Sequence, residues 1–155
     1  MNHRMTTLIL TLAFASLAHA ETTVVKVDRE NFPHDTKISV VINRGAVYLT
    51  CRDNYLNHGR DEVDPDEMLL VFEKMVKWGE LNKEVKTVVQ KTLYIGDILV
   101  FFSGIESGIS AVAIAPGSVA CTVAPRHIKT LVDGIKNNLE HAKSEDKKNK
   151  ADLFE

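Results

Sequence analysis

The chain has few of the residues on which redox, metal and nucleic-acid functions depend. Its 155 residues include two cysteines, one tryptophan and only 6% aromatic residues. The 19 basic and 21 acidic residues give a net charge of −2, without the excess of cations that binds a phosphate backbone. No apolar run reaches the roughly twenty residues that a membrane-spanning helix needs. We therefore expect neither a nucleic-acid partner nor a membrane span.

Motifs that would indicate catalysis are also missing. The sequence has no glycine-rich phosphate loop and no Gly-x-Ser-x-Gly elbow, and its histidines do not occur at the paired spacing of zinc ligands. These absences predict a protein that is not an enzyme and has no catalytic residue, cofactor or metal site. The alternative is an enzyme or metal-binding factor that uses His58 or His127 with nearby carboxylates.

The N-terminal segment has the parts of a secretory signal peptide. Arg4 precedes an apolar run at 8–18, and Ala18-His19-Ala20 supplies the small residues that signal peptidase recognises. The sequence therefore predicts a cleavable signal peptide at 1–20 and a periplasmic protein, with secretion as the alternative.

The two cysteines, Cys51 and Cys121, both lie in the exported part of the chain. Each shares the apolar face of a predicted strand, and an even number of cysteines in an oxidising compartment is typical of disulfide bonding. We expect one disulfide between them, which requires their strands to be neighbours or to face each other across a thin core.

Alternating apolar residues and turn signals predict seven strands. Three precede the first helix and four follow it as a meander, at 22–27, 37–42, 46–52, 85–95, 98–103, 109–115 and 118–124. A short loop ending in Gly45 connects the second and third strands.

Two helices complete the predicted fold. Asp64 is a good N-cap, Pro65 suits the first helical position, and Glu67 can reach back to the cap N–H, so a helix should run over 65–78 and stop at Gly79. Apolar residues at three- and four-residue steps predict a second helix over 125–141. The charged segment 142–155 is predicted to be disordered.

The resulting order is β-β-β-α-β-β-β-β-α, within one domain at 21–141. Strands grouped in hairpins, with helices between and after them, indicate an α+β fold. We expect a mainly antiparallel sheet with the two helices packed on one face.

The polar loop at 53–62 is the best candidate for a binding surface. It follows a cysteine that should fix its start, and interfaces favour tyrosine and arginine beside adaptable amides. The candidate partner-binding residues are Asn54, Tyr55, Asn57, His58, Arg60 and Asp61.

Small size, slight acidity and the lack of a catalytic constellation together suggest a function by binding. The sequence predicts an exported binding protein whose partner is another protein in the envelope or outside the cell. An inhibitor or immunity protein against an envelope-targeting enzyme fits best, and an accessory subunit of an envelope machine is a further possibility.

Overall fold

A computed structural model describes residues 21–29 and 36–151, and the predicted signal peptide lies outside them. Two helices and eight strands occur within these ranges. In chain order they are β1 (Thr22–Arg29), β2 (Thr36–Asn43), β3 (Ala46–Arg52), β4 (His58–Glu62), α1 (Pro65–Val85), β5 (Val89–Ile95), β6 (Ile98–Gly104), β7 (Ser110–Ala115), β8 (Cys121–Val123) and α2 (Pro125–Ala151).

The strands form two antiparallel four-stranded sheets, with the orders β1-β2-β3-β4 and β5-β6-β7-β8. This confirms the α+β class and the predicted alternation of strands and helices, although the strands expected in one sheet are divided between two. Each sheet is a simple meander followed by one helix, so the described chain consists of two successive ββββα units. The additional strand is β4, which pairs with β3 inside the segment predicted to be an irregular loop.

Each helix packs mainly on the sheet of the other unit. Helix α2 lies on β1 and β2, whereas α1 lies on β5, β6 and β7, and the two helices contact each other. A single apolar core therefore joins the units, with Phe72, Phe102 and Leu49 among its fully buried side chains. Because each sheet needs the other unit's helix to cover its apolar face, the two units are expected to fold together.

Helix α1 begins as predicted and ends later. The Asp64 carboxylate accepts hydrogen bonds from the backbone N–H groups of Asp66 and Glu67, both at 2.9 Å. The prediction that the Glu67 side chain reaches back to the cap N–H is wrong. Its carboxylate instead accepts a hydrogen bond of 3.0 Å from the Gly96 N–H and so supports the β5–β6 turn.

The prediction that Gly79 ends this helix is wrong. Helix α1 continues to Val85, and Lys86 provides the left-handed cap with φ 46°. Gly79 is buried inside the helix, where an added Cβ would lie 2.6 Å from the Pro125 ring. The glycine thus permits close approach of the start of α2. Residues 85–88, predicted to begin a strand, belong instead to the end of α1 and its connection to β5.

Helix α2 extends ten residues beyond its predicted end at His141, to Ala151. The prediction of disorder is therefore wrong for 142–151, where Ala142 and Asp146 are buried. The Asp146 carboxylate accepts a hydrogen bond of 3.1 Å from the Arg44 N–H. This bond satisfies a donor in the β2–β3 turn, in which Arg44 and Gly45 both have positive φ. Within the described ranges no helix is long and apolar enough to cross a membrane.

Candidate functional site

The disulfide joins the two units beside the predicted binding loop. Cys51 and Cys121 are bonded, with a Cα–Cα distance of 5.9 Å, and both are fully buried. Cys121 lies at the start of β8, and its sulfur is 3.8 Å from the carbonyl oxygens of Lys37 and Arg52. The predicted pairing is confirmed, and its two strands belong to different sheets.

The connection between β3 and β4, residues 53–57, is organised around one carboxylate. Asp53 Oδ1 accepts hydrogen bonds from the backbone N–H groups of Tyr55 and Asn57, at 2.9 and 3.0 Å. Its Oδ2 accepts a third bond, of 2.9 Å, from the Asn57 side-chain amide. The Asp53 N–H donates to the Asn57 carbonyl at 3.1 Å and closes the loop. Such a side-chain-centred turn has a fixed backbone shape.

Two large apolar side chains lie at the tip of this closed loop. Tyr55 is 69% exposed and Leu56 is 70% exposed. Leu56 also has φ 67°, in the left-handed region that non-glycine residues rarely adopt. Leu56 therefore gains little burial, while its backbone conformation costs about 1 kcal/mol of conformational free energy.

The base of the loop is fixed against the second unit. Gly59 in β4 packs so closely on the β7–β8 connection that an added Cβ would lie 2.0 Å from the Pro116 carbonyl oxygen. The Gly117 N–H donates to the Asp61 carboxylate at 2.5 Å. Together with the disulfide, these contacts attach β3 and β4, which flank the loop, to β8 and the β7–β8 connection.

A polar depression of about 420 Å³ lies beside the loop. Its lining comes from the loop and β4 on one side and the β7–β8 connection on the other, namely Asp53, Asn57, His58, Ser118, Val119 and Ala120. The exposed tip and this depression form one continuous surface, which we call the loop face.

The predicted site residues separate into two groups. Asn54, Tyr55, Asn57 and His58 are exposed on the loop face. Arg60 has partners inside the chain, since its guanidinium stacks 3.8 Å from the centre of the Tyr48 ring and forms an ion pair with Glu21. Asp61 likewise binds the Gly117 N–H, so these two side chains support β4 and are less available to a partner.

The residues named in the metal-binding alternative do not form a ligand cluster. Within 21–29 and 36–151, no three His, Cys, Asp or Glu side chains are grouped as metal ligands would be. His58 lies on β4 opposite Arg52, and His127 lies in the first turn of α2 with its N–H bonded to the Ala124 carbonyl at 2.9 Å.

Sequence reasoning missed Asp53 and Leu56. An aspartate at the start of a polar connection is a recognised turn signal and could have indicated Asp53. Nothing in the sequence marks Leu56, because a leucine is not expected at positive φ. Comparisons with protein-family models, curated proteins and solved structures find no match for this chain.

Proposed function

We propose that this chain is an exported, non-enzymatic binding protein, periplasmic in location, that blocks another protein through the loop face. The coarse features that support export are the disulfide, which persists in oxidising compartments, and the leader-like N-terminal sequence. An inhibitor or immunity protein acting on an envelope-targeting enzyme is the role that this surface supports best.

The observation that carries the proposal is the preorganised tip. Binding loses less free energy to ordering when the contact loop is already rigid, and aromatic anchors are common among the residues that dominate interfaces. Tyr55 and Leu56 supply exposed apolar area on a loop whose shape is set by Asp53. The polar depression beside them offers hydrogen-bonding groups around this apolar centre, as an interface rim does.

The geometry suggests how an enzyme would be blocked. A short closed loop with Tyr55 and Leu56 exposed at its tip can enter a concave cleft, and substrate clefts are the common concave sites of enzymes. The slight net negative charge of the chain favours encounter with cationic lytic enzymes.

The proposal is tested with matched variants of the immobilised protein. Tyr55→Ala and Leu56→Asn alter the tip, while Tyr94→Ala and Ile109→Asn change side chains that are 57% and 65% exposed elsewhere. We expect an envelope extract to yield a partner that the wild type and both controls retain and that both tip variants lose. The purified partner should be an enzyme that the wild type inhibits.

Leu56→Asn provides a second readout, because asparagine tolerates positive φ better than leucine does. We expect its stability to stay equal or rise by up to about 1 kcal/mol while binding is lost. Retention of the partner by both tip variants would show that the loop face is not the contact surface. Turnover of a substrate by the protein itself would overturn the non-enzymatic role.

A further inference from the structure

An apolar groove lies between the last turns of α1 and the edge strand β5. Its volume is about 250 Å³. Trp78 and Phe102 pack edge to face at its base, with ring centres 5.8 Å apart. Leu81 and Val85 of the helix form one wall, at 44% and 62% exposure, and Val89 of β5 contributes to the other.

A buried polar residue fixes the end of α1 beside the groove. Asn82 is buried here, and its side-chain amide donates to the carbonyl oxygens of Ile105 and Ile109, at 3.4 and 3.1 Å. These bonds fix the end of the helix over the β6–β7 connection. No neighbouring strand covers the outer side of β5 within the described part of the chain.

The size of the groove restricts what can fill it. Its volume of about 250 Å³ is small beside the roughly 300–1,000 Å³ of ligand pockets in general, and its walls are one helix and one edge strand. A single extended hydrocarbon chain is narrow enough to lie between the helix and the strand.

The charge at the groove identifies the head group. Lys91 of β5 is the one charged residue in its lining, and it makes no ion pair with any residue that the structure describes. We propose that the groove binds a single-chain anionic amphiphile, such as a long-chain carboxylate, with the chain against Trp78 and Phe102 and the head group at Lys91.

This site is separate from the loop face. The strands β5 and β8 are at opposite edges of the same sheet, and three strand spacings place them about 14 Å apart. Amphiphile binding and partner binding can therefore be altered by different substitutions.

Trp78 provides the assay, since it is the only tryptophan in the chain. The full exported chain is titrated with dodecanoate below its micelle-forming concentration, and in parallel with 1-dodecanol and dodecyltrimethylammonium. We expect dodecanoate to give a saturable blue shift of Trp78 emission with one site per chain, and to bind roughly tenfold more tightly than the cation, equivalent to about 1.4 kcal/mol. Lys91→Glu should reverse this preference, and Val85→Asp should abolish binding.

Lys148→Glu is the matched charge control, because Lys148 is exposed near the far end of α2. Lys91 and Val85 are exposed, so circular dichroism should show unchanged folding in every variant. Equal affinity for the three probes, no effect of Lys91→Glu, or no saturation would overturn the proposal. A second result would also overturn it: no dodecanoate binding, together with light scattering that shows a dimer which Val85→Asp dissociates. The groove would then be an interface between two copies of the chain.

Discussion

Removing the disulfide should weaken the whole molecule, because it is the one covalent cross-link between the two units besides the backbone that connects α1 to β5. No backbone ladder joins the two sheets over the described residues, and their association rests on side-chain packing and on the exchanged helices. Cys51 and Cys121 are fully buried at this junction, so reduction would also place two thiols in the core. We expect the effect to be global.

The magnitude follows from the length of chain that the bond closes. With a sequence separation of 70 between the cysteines, the chain-entropy relation gives a stabilisation of roughly 4 kcal/mol. Domains of this size are stable by about 5–15 kcal/mol. The reduced protein should therefore remain folded at room temperature with a much smaller margin.

Urea denaturation of the exported chain with and without reductant measures this difference. At an m-value of about 2 kcal/mol per molar, the midpoint should fall by roughly 2 M on reduction. The double variant Cys51→Ala/Cys121→Ala should show a similarly low midpoint that no longer responds to reductant. Hydrogen exchange should increase most in β8, whose pairing spans only Cys121–Val123. A change in stability below about 1 kcal/mol would refute the argument that the bond restrains the unfolded chain.

Three further substitutions test the packing that sequence reasoning did not anticipate. Asp146→Ala should cost about 1 kcal/mol in urea unfolding by removing the acceptor of the Arg44 N–H; no change would contradict the structural role of the helix end. Gly59→Ala should cost about 1–3 kcal/mol, since its Cβ would meet the Pro116 carbonyl oxygen, and a neutral result would exclude that close contact. Lys86→Gly should raise the melting temperature by a few degrees because glycine favours the left-handed cap; a lower melting temperature would contradict this.

Local signals in the sequence were sufficient for most of the elements. The alternation of β2 and β3 and the Asp64 N-cap of α1 depend on neighbouring residues, and the sequence predicts both correctly. The disulfide is predicted from two cysteines in an exported chain, and the apolar faces of their strands agree with it. These features are specified within a few residues, which is the range that pattern reasoning covers.

The errors occur where distant residues determine the outcome. Gly79 looks like a helix stop, but its lack of a side chain serves the approach of Pro125 from the second unit. The segment after His141 looks like a solvated tail, but Asp146 has a partner more than 100 positions earlier in the chain. Neither contact can be read from local periodicity, because tertiary packing overrides the propensity of the segment.

The sequence predicts only part of the candidate site, because distant residues determine the rest. Composition identified the exposed loop and Tyr55, but not the roles of Arg60 and Asp61, whose partners Tyr48 and Gly117 are on other elements. The sequence does not predict the groove at Trp78, because Leu81 lies beyond the predicted helix end and Val85 falls in the predicted strand, whereas both belong to α1.

The two-unit architecture explains why the loop face lies where it does. The β3–β4 and β7–β8 connections hold the same place in their units, and the disulfide and the Gly59–Pro116 contact bring them together. The second connection supports the first, which is closed by Asp53 and carries Leu56 at positive φ. A turn needed only to link two strands would be more stable with glycine or asparagine at 56 and a polar residue at 55. The conformational cost at the tip is therefore the strongest structural reason to assign it a partner.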